Sequence, residues 1–123
     1  MSVTYLTQNE LWETFPNTKG MVLALGKSML MYYIEYKPNM TFPNHSHPHE
    51  QVGYCISGEG EFGIGDEIIR IKPGCGYHVP SNVIHYEKNN GPGPLICVDI
   101  FSPVRQDLAS RFFKQEYFKK NKK

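Results

Sequence analysis

Residues 44–54 read NHSHPHEQVGY, with histidine at positions 45, 47 and 49 followed at once by Glu50 and Gln51. Alternate side chains of a β-strand share a face. Histidine at every second position is therefore how a strand presents imidazoles to one metal ion. Gln51 is the less expected residue, because a neutral amide stands where an anionic ligand would serve a cation. The stretch thus raises two questions: which residues hold the ion, and why residue 51 is an amide.

Outward from this stretch, apolar segments of strand length recur at short intervals. They cover residues 20–25, 28–36, 40–47, 51–57, 59–64, 67–71, 76–79, 83–88 and 95–101. Turn signals separate them, among them Lys37-Pro38-Asn39, Ser57-Gly58, Lys72-Pro73-Gly74, Pro80-Ser81-Asn82 and the run from Asn90 to Pro94. Many short strands joined by tight turns predict an all-β sandwich or barrel. Two segments read as helical: one turn within residues 8–14, and an amphipathic helix over residues 107–118 with Leu108, Phe112, Phe113 and Tyr117 as its apolar residues. The helix is expected to pack on the barrel or against a partner. With 123 residues, no internal repeat and no linker, the chain reads as one domain with one core.

Thirteen Lys and Arg against twelve Asp and Glu give a net charge of +1, unevenly spread. Residues 111–123 hold six cations (Arg111, Lys114, Lys119, Lys120, Lys122, Lys123) against Glu116, a local +5, so residues 1–110 sum to −4. This divides the chain into a barrel domain, 1–110, and a basic C-terminal tail, 111–123, expected to be a solvated end. A near-neutral total predicts no nucleic-acid partner. The longest apolar runs, MVLAL and MLMYYI, are too short to cross a bilayer. Cys55, Cys75 and Cys97 are an odd, scattered set without a Cys-x-x-Cys pair, and the N-terminus lacks signal-peptide character. A cytoplasmic protein with reduced thiols is the expectation.

The histidine cluster has a wider context. His45-x-His47 is followed by Gln51 after three residues and by Gly58 after six more; fifteen residues later comes Gly74-x5-Pro80-x-Asn82-x2-His85-x3-Asn89. In these two clusters the sequence resembles the cupins, whose motifs read Gly-x5-His-x-His-x(3,4)-Glu-x6-Gly and Gly-x5-Pro-x-Gly-x2-His-x3-Asn. The resemblance implies a single double-stranded β-helix (jelly-roll) barrel with a short C-terminal helix. It also implies one divalent ion (Ni, Zn, Fe or Mn) held by His45, His47, Gln51 and His85. A metal-free barrel that kept the pattern is the alternative. Asn39 and Asn82 stand where the family has Gly; both follow Pro within a turn, where Asn tolerates a left-handed backbone. Cys75 stands where an Asp is common. Gln51 stands at the family's Glu, which leaves the ion its full double charge and no carboxylate among its ligands. Such a site attracts an anion, and its proton-transfer group must come from elsewhere. Glu50 becomes a ligand if the turn differs by one residue. His49 is expected beside the ligands or at the surface, and His78 in the core or at the lumen edge.

The run LICVDIFSPVRQD, residues 95–107, offers that group. Alternation places Leu95, Cys97, Asp99 and Phe101 on one face of a strand, so Asp99 interrupts an apolar row. A carboxylate there is either paired, with Arg105 as the candidate, or functional. HSHPHEQVGY, SGEGEF and VDIFSPVRQD together are similar to one cupin type, the pectin-degradation (KdgF-like) proteins. These use His, His, Gln and His as ligands and carry Asp-x-Phe-Ser-Pro-x-Arg-x-Asp. The resemblance implies an enzyme that converts 4,5-unsaturated monouronates, released by pectin and alginate lyases, to the linear keto form. Asp99 would shuttle a proton, Arg105 hold the substrate carboxylate and Phe101 shape the pocket, with a small anionic sugar acid as the partner molecule. An oxygen-using cupin, a cupin isomerase of another small acid, and a non-catalytic sugar-binding module remain alternatives. A homodimer is expected as well, because the strand over 28–36 carries aromatics on both faces, at Tyr32, Tyr33 and Tyr36.

Overall fold

The computed structural model describes the backbone of residues 3–121 and the side chains of residues 3–116. After a 3-10 turn at Gln8–Glu10, ten strands follow: β1 Trp12–Phe15, β2 Thr18–Leu25, β3 Leu30–Tyr36, β4 Met40–His45, β5 Glu50–Ser57, β6 Gly60–Ile64, β7 Glu67–Ile71, β8 Gly76–Val79, β9 His85–Asn89 and β10 Leu95–Ser102. One helix, α1 Gln106–Asn121, closes the chain. The strands form two antiparallel sheets, ordered β1-β2-β3-β10-β5-β8 and β4-β9-β6-β7. Their inner faces enclose the core as a jelly roll.

Each strand is made by its alternation. On β10, Leu95, Cys97, Asp99 and Phe101 are buried, while Ile96, Val98, Ile100 and Ser102 are half-buried on the other face. β3 does the same with Tyr32, Ile34 and Tyr36 inward, and these meet Phe62, Tyr77, Val79, Leu95 and Cys97 in one cluster. The turns use the residues foreseen: Asn39 and Asn82 adopt φ of 62° and 65°, as Asn17 does at 66°. Asn89, the last residue of the second cluster, is structural. Its side-chain N–H groups donate to the carbonyls of Tyr36 and Gly93, both at 2.9 Å, and its carbonyl accepts from Gly91 N–H at 3.0 Å. A buried amide so fully bonded fixes the Asn90–Pro94 turn that launches β10. All three cysteines are free thiols.

Two expectations change. The helical turn expected within residues 8–14 is confined to Gln8–Glu10, and Trp12–Phe15 pair with β2 as a strand. Isolated single turns are marginal, and tertiary pairing with an adjacent edge overrides them. The boundary at 110/111 falls inside α1, which runs unbroken through it. Leu108, Ala109 and Phe112 are buried against the barrel. Gln115 accepts from Val22 N–H at 3.3 Å and donates to Val22 C=O at 3.2 Å, completing a stretch of β2 that β1 leaves unpaired. The charge count could not see this, because the anchoring residues are the apolar ones between the cations. Tyr117, Lys119, Lys120, Lys122 and Lys123 lie outside the described side chains.

Candidate metal centre

Three histidines converge at one end of the barrel. His45 ends β4, His85 begins β9, and the two are cross-strand partners; His47 stands in the loop leading to β5. Asn82 N–H donates to His47 C=O at 2.8 Å, and the Ser81 hydroxyl donates to Pro48 C=O. These bonds lock the loop carrying His47 to the turn before His85. One ring nitrogen from each imidazole lies within 4.8 Å of the others. That is near the span one ion bridges with nitrogen bonds of about 2.1 Å.

The hydrogen bonds fit an ion at that point. Each Nδ1 contacts a backbone carbonyl: His45 to Pro43 at 2.7 Å, His47 to His49 at 2.9 Å, His85 to Val83 at 2.9 Å. Each Nδ1 therefore carries the proton, and each Nε2 presents a bare lone pair. His85 Nε2 is buried without a hydrogen-bond partner. His47 Nε2 stands 3.1 Å from Gln51 Oε1. With the proton on Nδ1 these are two acceptors face to face, an arrangement that a cation between them relieves. Burial lowers the His45 pKa and takes that of His85 to about 4, so both are neutral and open to a metal.

Gln51 faces two ways. Its oxygen is directed at His47, while its side chain also hydrogen-bonds Asp99, where a carboxylate accepts from the amide N–H. Asp99 accepts a second, short bond from the Tyr77 hydroxyl. The Tyr77–Gly53–Asp99 row crosses three adjacent strands, β8, β5 and β10. Glycine at 53 is what permits the contact, since a Cβ there would overlap both the Tyr77 ring and the Asp99 carboxylate. Burial raises the Asp99 pKa to about 6, with the bonds from Tyr77 and Gln51 and the charge of Arg105 opposing the rise.

Residues 32–101 match the model of the Cupin domain family, a span that includes all three histidines and Gln51. The chain belongs to the cupin family. A germin-like protein of Arabidopsis thaliana (subfamily 2 member 2) is 30% identical over 113 residues, covering 85% of this chain and 49% of that protein, so the cupin spans about half the length of this curated relative. Among solved structures, KdgF from a Halomonas species superposes with a TM-score of 0.76 at 23% identity, covering 87% of this chain and 99% of that one. An RmlC-like cupin from Shewanella frigidimarina gives 0.79 at 25% identity, with 87% and 95% covered.

The cupin's centre opens into a cavity of about 390 Å³ lined by His45, Gln51, Asp99, Phe101 and Arg105 among others. Arg105 does not pair with Asp99. Its Nε and Nη2 donate to the two carboxylate oxygens of Asp107 at 3.2 and 2.9 Å, and its guanidinium lies 4.8 Å above the Phe101 ring. Phe101 in turn packs edge-on to His47. Two other readings are corrected. His78 is neither core nor lumen edge: Tyr77 and Val79 take the inner face of β8, and His78 is exposed and bonded to Glu50 at 2.9 Å. Glu50, at the start of β5, therefore faces away from the histidines. His49 is half-buried, and its carbonyl orients His47.

One carboxyl in the cavity escaped the sequence reading. Glu87 is buried, with Oε1 3.7 Å from His85 Nε2 and 4.0 Å from His45 Nε2, while Oε2 has no partner among the described residues. Beside neutral imidazoles this is proximity, not an ion pair. Burial, reinforced by Asp99, raises its pKa to about 8. The signal was present: residue 87 lies two after His85 on β9, hence on the same face.

Proposed function

We propose that this cupin is a metal-dependent enzyme converting 4,5-unsaturated monouronates to their linear keto acids. The observation that carries the reading is the Gln51 amide, which joins a three-histidine cluster to a buried carboxylate at the floor of one cavity. Metal ligands alone would suit a binding module. A buried aspartate aimed at the same space, held by Tyr77 and Gln51, supplies the proton chemistry that an enol-to-ketone conversion requires.

The substrate is a cyclic enol ether with a carboxylate beside its double bond. Opening the hemiacetal breaks the bond between the anomeric carbon and the ring oxygen, leaving an aldehyde and an enol. The enol hydroxyl gives up a proton and the neighbouring carbon takes one, so no proton is gained or lost overall. Asp99 performs both transfers, and the Tyr77 hydroxyl fixes which of its oxygens is free to do so. His45, His47, Gln51 and His85 would hold a divalent ion, which when bound would supply positive charge to offset negative charge developing on substrate oxygen. Phe101 forms an apolar wall between His47 and Arg105. Arg105, already bonded to Asp107, contributes its charge above Phe101, which favours an anionic ligand and opposes the rise in the Asp99 pKa.

The test is metal analysis of protein purified without a histidine tag, followed by consumption of monouronates freshly cut from pectin and alginate. Asp99→Asn should stay folded and keep its metal while turnover falls about 10²–10⁴-fold, as for a lost acid–base group. Full activity in a folded, metal-loaded Asp99→Asn protein would remove Asp99 from the reaction. Activity that disappears when oxygen is excluded would favour an oxygen-using cupin instead.

A further inference from the structure

Helix α1 and strand β1 bring unused hydrogen-bond donors to the same cavity. Arg111 Nε and Trp12 Nε1 are both buried, and neither has a hydrogen-bond partner among the described residues. The Arg111 guanidinium lies 4.5 Å above the Trp12 ring, a stacked placement that holds its planar fork in one orientation. Lys114 lies three residues on along the helix and lines the same wall, as do the hydroxyl-bearing Thr14 and Ser110. A buried N–H without an acceptor is costly. Two together, one of them on a guanidinium with Lys114 beside it, in residues that line an open cavity, describe a place that an acceptor would complete.

The usual candidate for binding a substrate carboxylate is less free. Arg105 gives Nε and Nη2 to Asp107, so its fork already holds a carboxylate. Asp107, one helical turn before Arg111, lines the cavity itself but is engaged by Arg105. Arg111 has no carboxylate partner among the described residues.

We infer that Trp12, Arg111 and Lys114 form the carboxylate subsite of the cavity. A sugar acid binds with its carboxylate on this wall and its ring directed toward the three histidines. A cavity of about 390 Å³ stands at the small end of ligand sites and suits one sugar ring rather than a chain of them. The choice of a sugar acid rests on the proposed function; the anion preference of the wall rests on the donors alone. The C-terminal helix therefore takes part in recognition as well as in closing the barrel.

Calorimetric titration of the metal-loaded, full-length protein with galacturonate and with galactose tests this without turnover. The wild type should favour the acid over the neutral sugar. Arg111→Gln should cut that preference roughly tenfold to a hundredfold, the size expected when a charged hydrogen-bonding partner is lost. Trp12→Phe, which keeps an aromatic ring beneath Arg111 while removing the N–H along with the five-membered ring, should cut it about two- to tenfold. The double variant Arg105→Gln/Asp107→Asn removes the competing pair without changing net charge and should lower the preference less than Arg111→Gln does, because Asp107 already offsets the charge Arg105 brings to the cavity. Melting temperature and metal content accompany each variant. The inference is overturned if the wild type shows no preference, if folded Arg111→Gln retains it, or if the double variant lowers it as far as Arg111→Gln does. A wild type inert toward unsaturated uronates that still shows this pattern would instead remove the proposed reaction and leave the subsite standing.

Discussion

Glu87 makes the metal-free protein sensitive to pH in a window where few other groups titrate. Its pKa rises from 4.5 to about 8 in the fold, chiefly by burial. A carboxyl raised in the folded state contributes stability that is fully present below the unfolded value and lost as pH rises through the folded one. Between pH 6.5 and 8 the unfolded chain has already released this proton and the folded chain still holds it, so stability falls with pH. His45 and His85, lowered below 6.5, are neutral in the fold across this window; in the unfolded chain they lose their remaining charge at its lower end, which offsets part of the fall, while Asp99, at about 6, is mostly ionised in the fold. One proton over about 1.5 pH units amounts to about 2 kcal/mol. For a domain of this size that is about 6–10 °C in melting temperature. Chelator-treated protein should therefore melt lower at pH 8 than at pH 6.5, and Glu87→Gln, isosteric and uncharged, should flatten the slope. A cation bound beside the carboxyl should flatten it too, by favouring the ionised form. Parallel curves for metal-free wild type and Glu87→Gln would refute the reasoning.

Other expectations follow from the same geometry. His47→Ala and His85→Ala together should abolish stoichiometric metal, and elemental analysis finding one ion per chain in the double variant would unseat the ligand assignment. Gln51→Glu should keep metal but lose activity about 100-fold or more, with a shifted pH–rate profile, because it sets a second carboxylate against Asp99; like charges about 3 Å apart repel by about 5 kcal/mol at an effective dielectric near 20. Unchanged kinetics would count against it. We also propose a homodimer through the outer face of β5 and β10, where Val52, Tyr54 and Ile56 are exposed beside Val98 and Ile100. Tyr54→Glu should halve the mass seen by light scattering at micromolar concentration, and a monomeric wild type would exclude the dimer.

How far the sequence could be read depends on which physical rule governs each residue. Strand faces follow a period of two, so the inward row on β10, including Asp99, was legible before any coordinates. The Asn39 and Asn82 turns were legible because few residue types accept a positive φ. Partner choice was not. Sequence spacing made Asp99 and Arg105 look like a pair, yet Asp99 finds Tyr77 and Gln51 across neighbouring strands, and Arg105 finds Asp107 two residues away. The chemistry of His78 suggests the interior, yet its parity with the inward Tyr77 puts it outside. The face of β3 thought to need a partner is largely covered within the chain: Tyr33 is buried and donates to Glu35 at 2.6 Å, which Gln8 also bonds at 3.1 Å. Such coverage comes from a segment more than twenty residues away, and no local pattern announces it.

The amide at position 51 has a reason that charge counting alone does not reach. A glutamate there would serve a cation on one side, but on its other side stands Asp99, buried and within hydrogen-bonding reach. Two carboxylates in that contact must share a proton or repel. An amide avoids the conflict because its two ends have opposite polarity: the oxygen faces the metal position beside His47, and the N–H faces Asp99. Gln51 is therefore required by the presence of Asp99, and Asp99 by whatever needs a carboxylate at the floor of that cavity. Nor is the centre without a second carboxyl, since Glu87 lies beside His45 and His85 and holds its proton at neutral pH until a cation favours the ionised form. The neutral residue separates two acidic groups, keeping one of them, Asp99, beside the metal position without joining the ligand set.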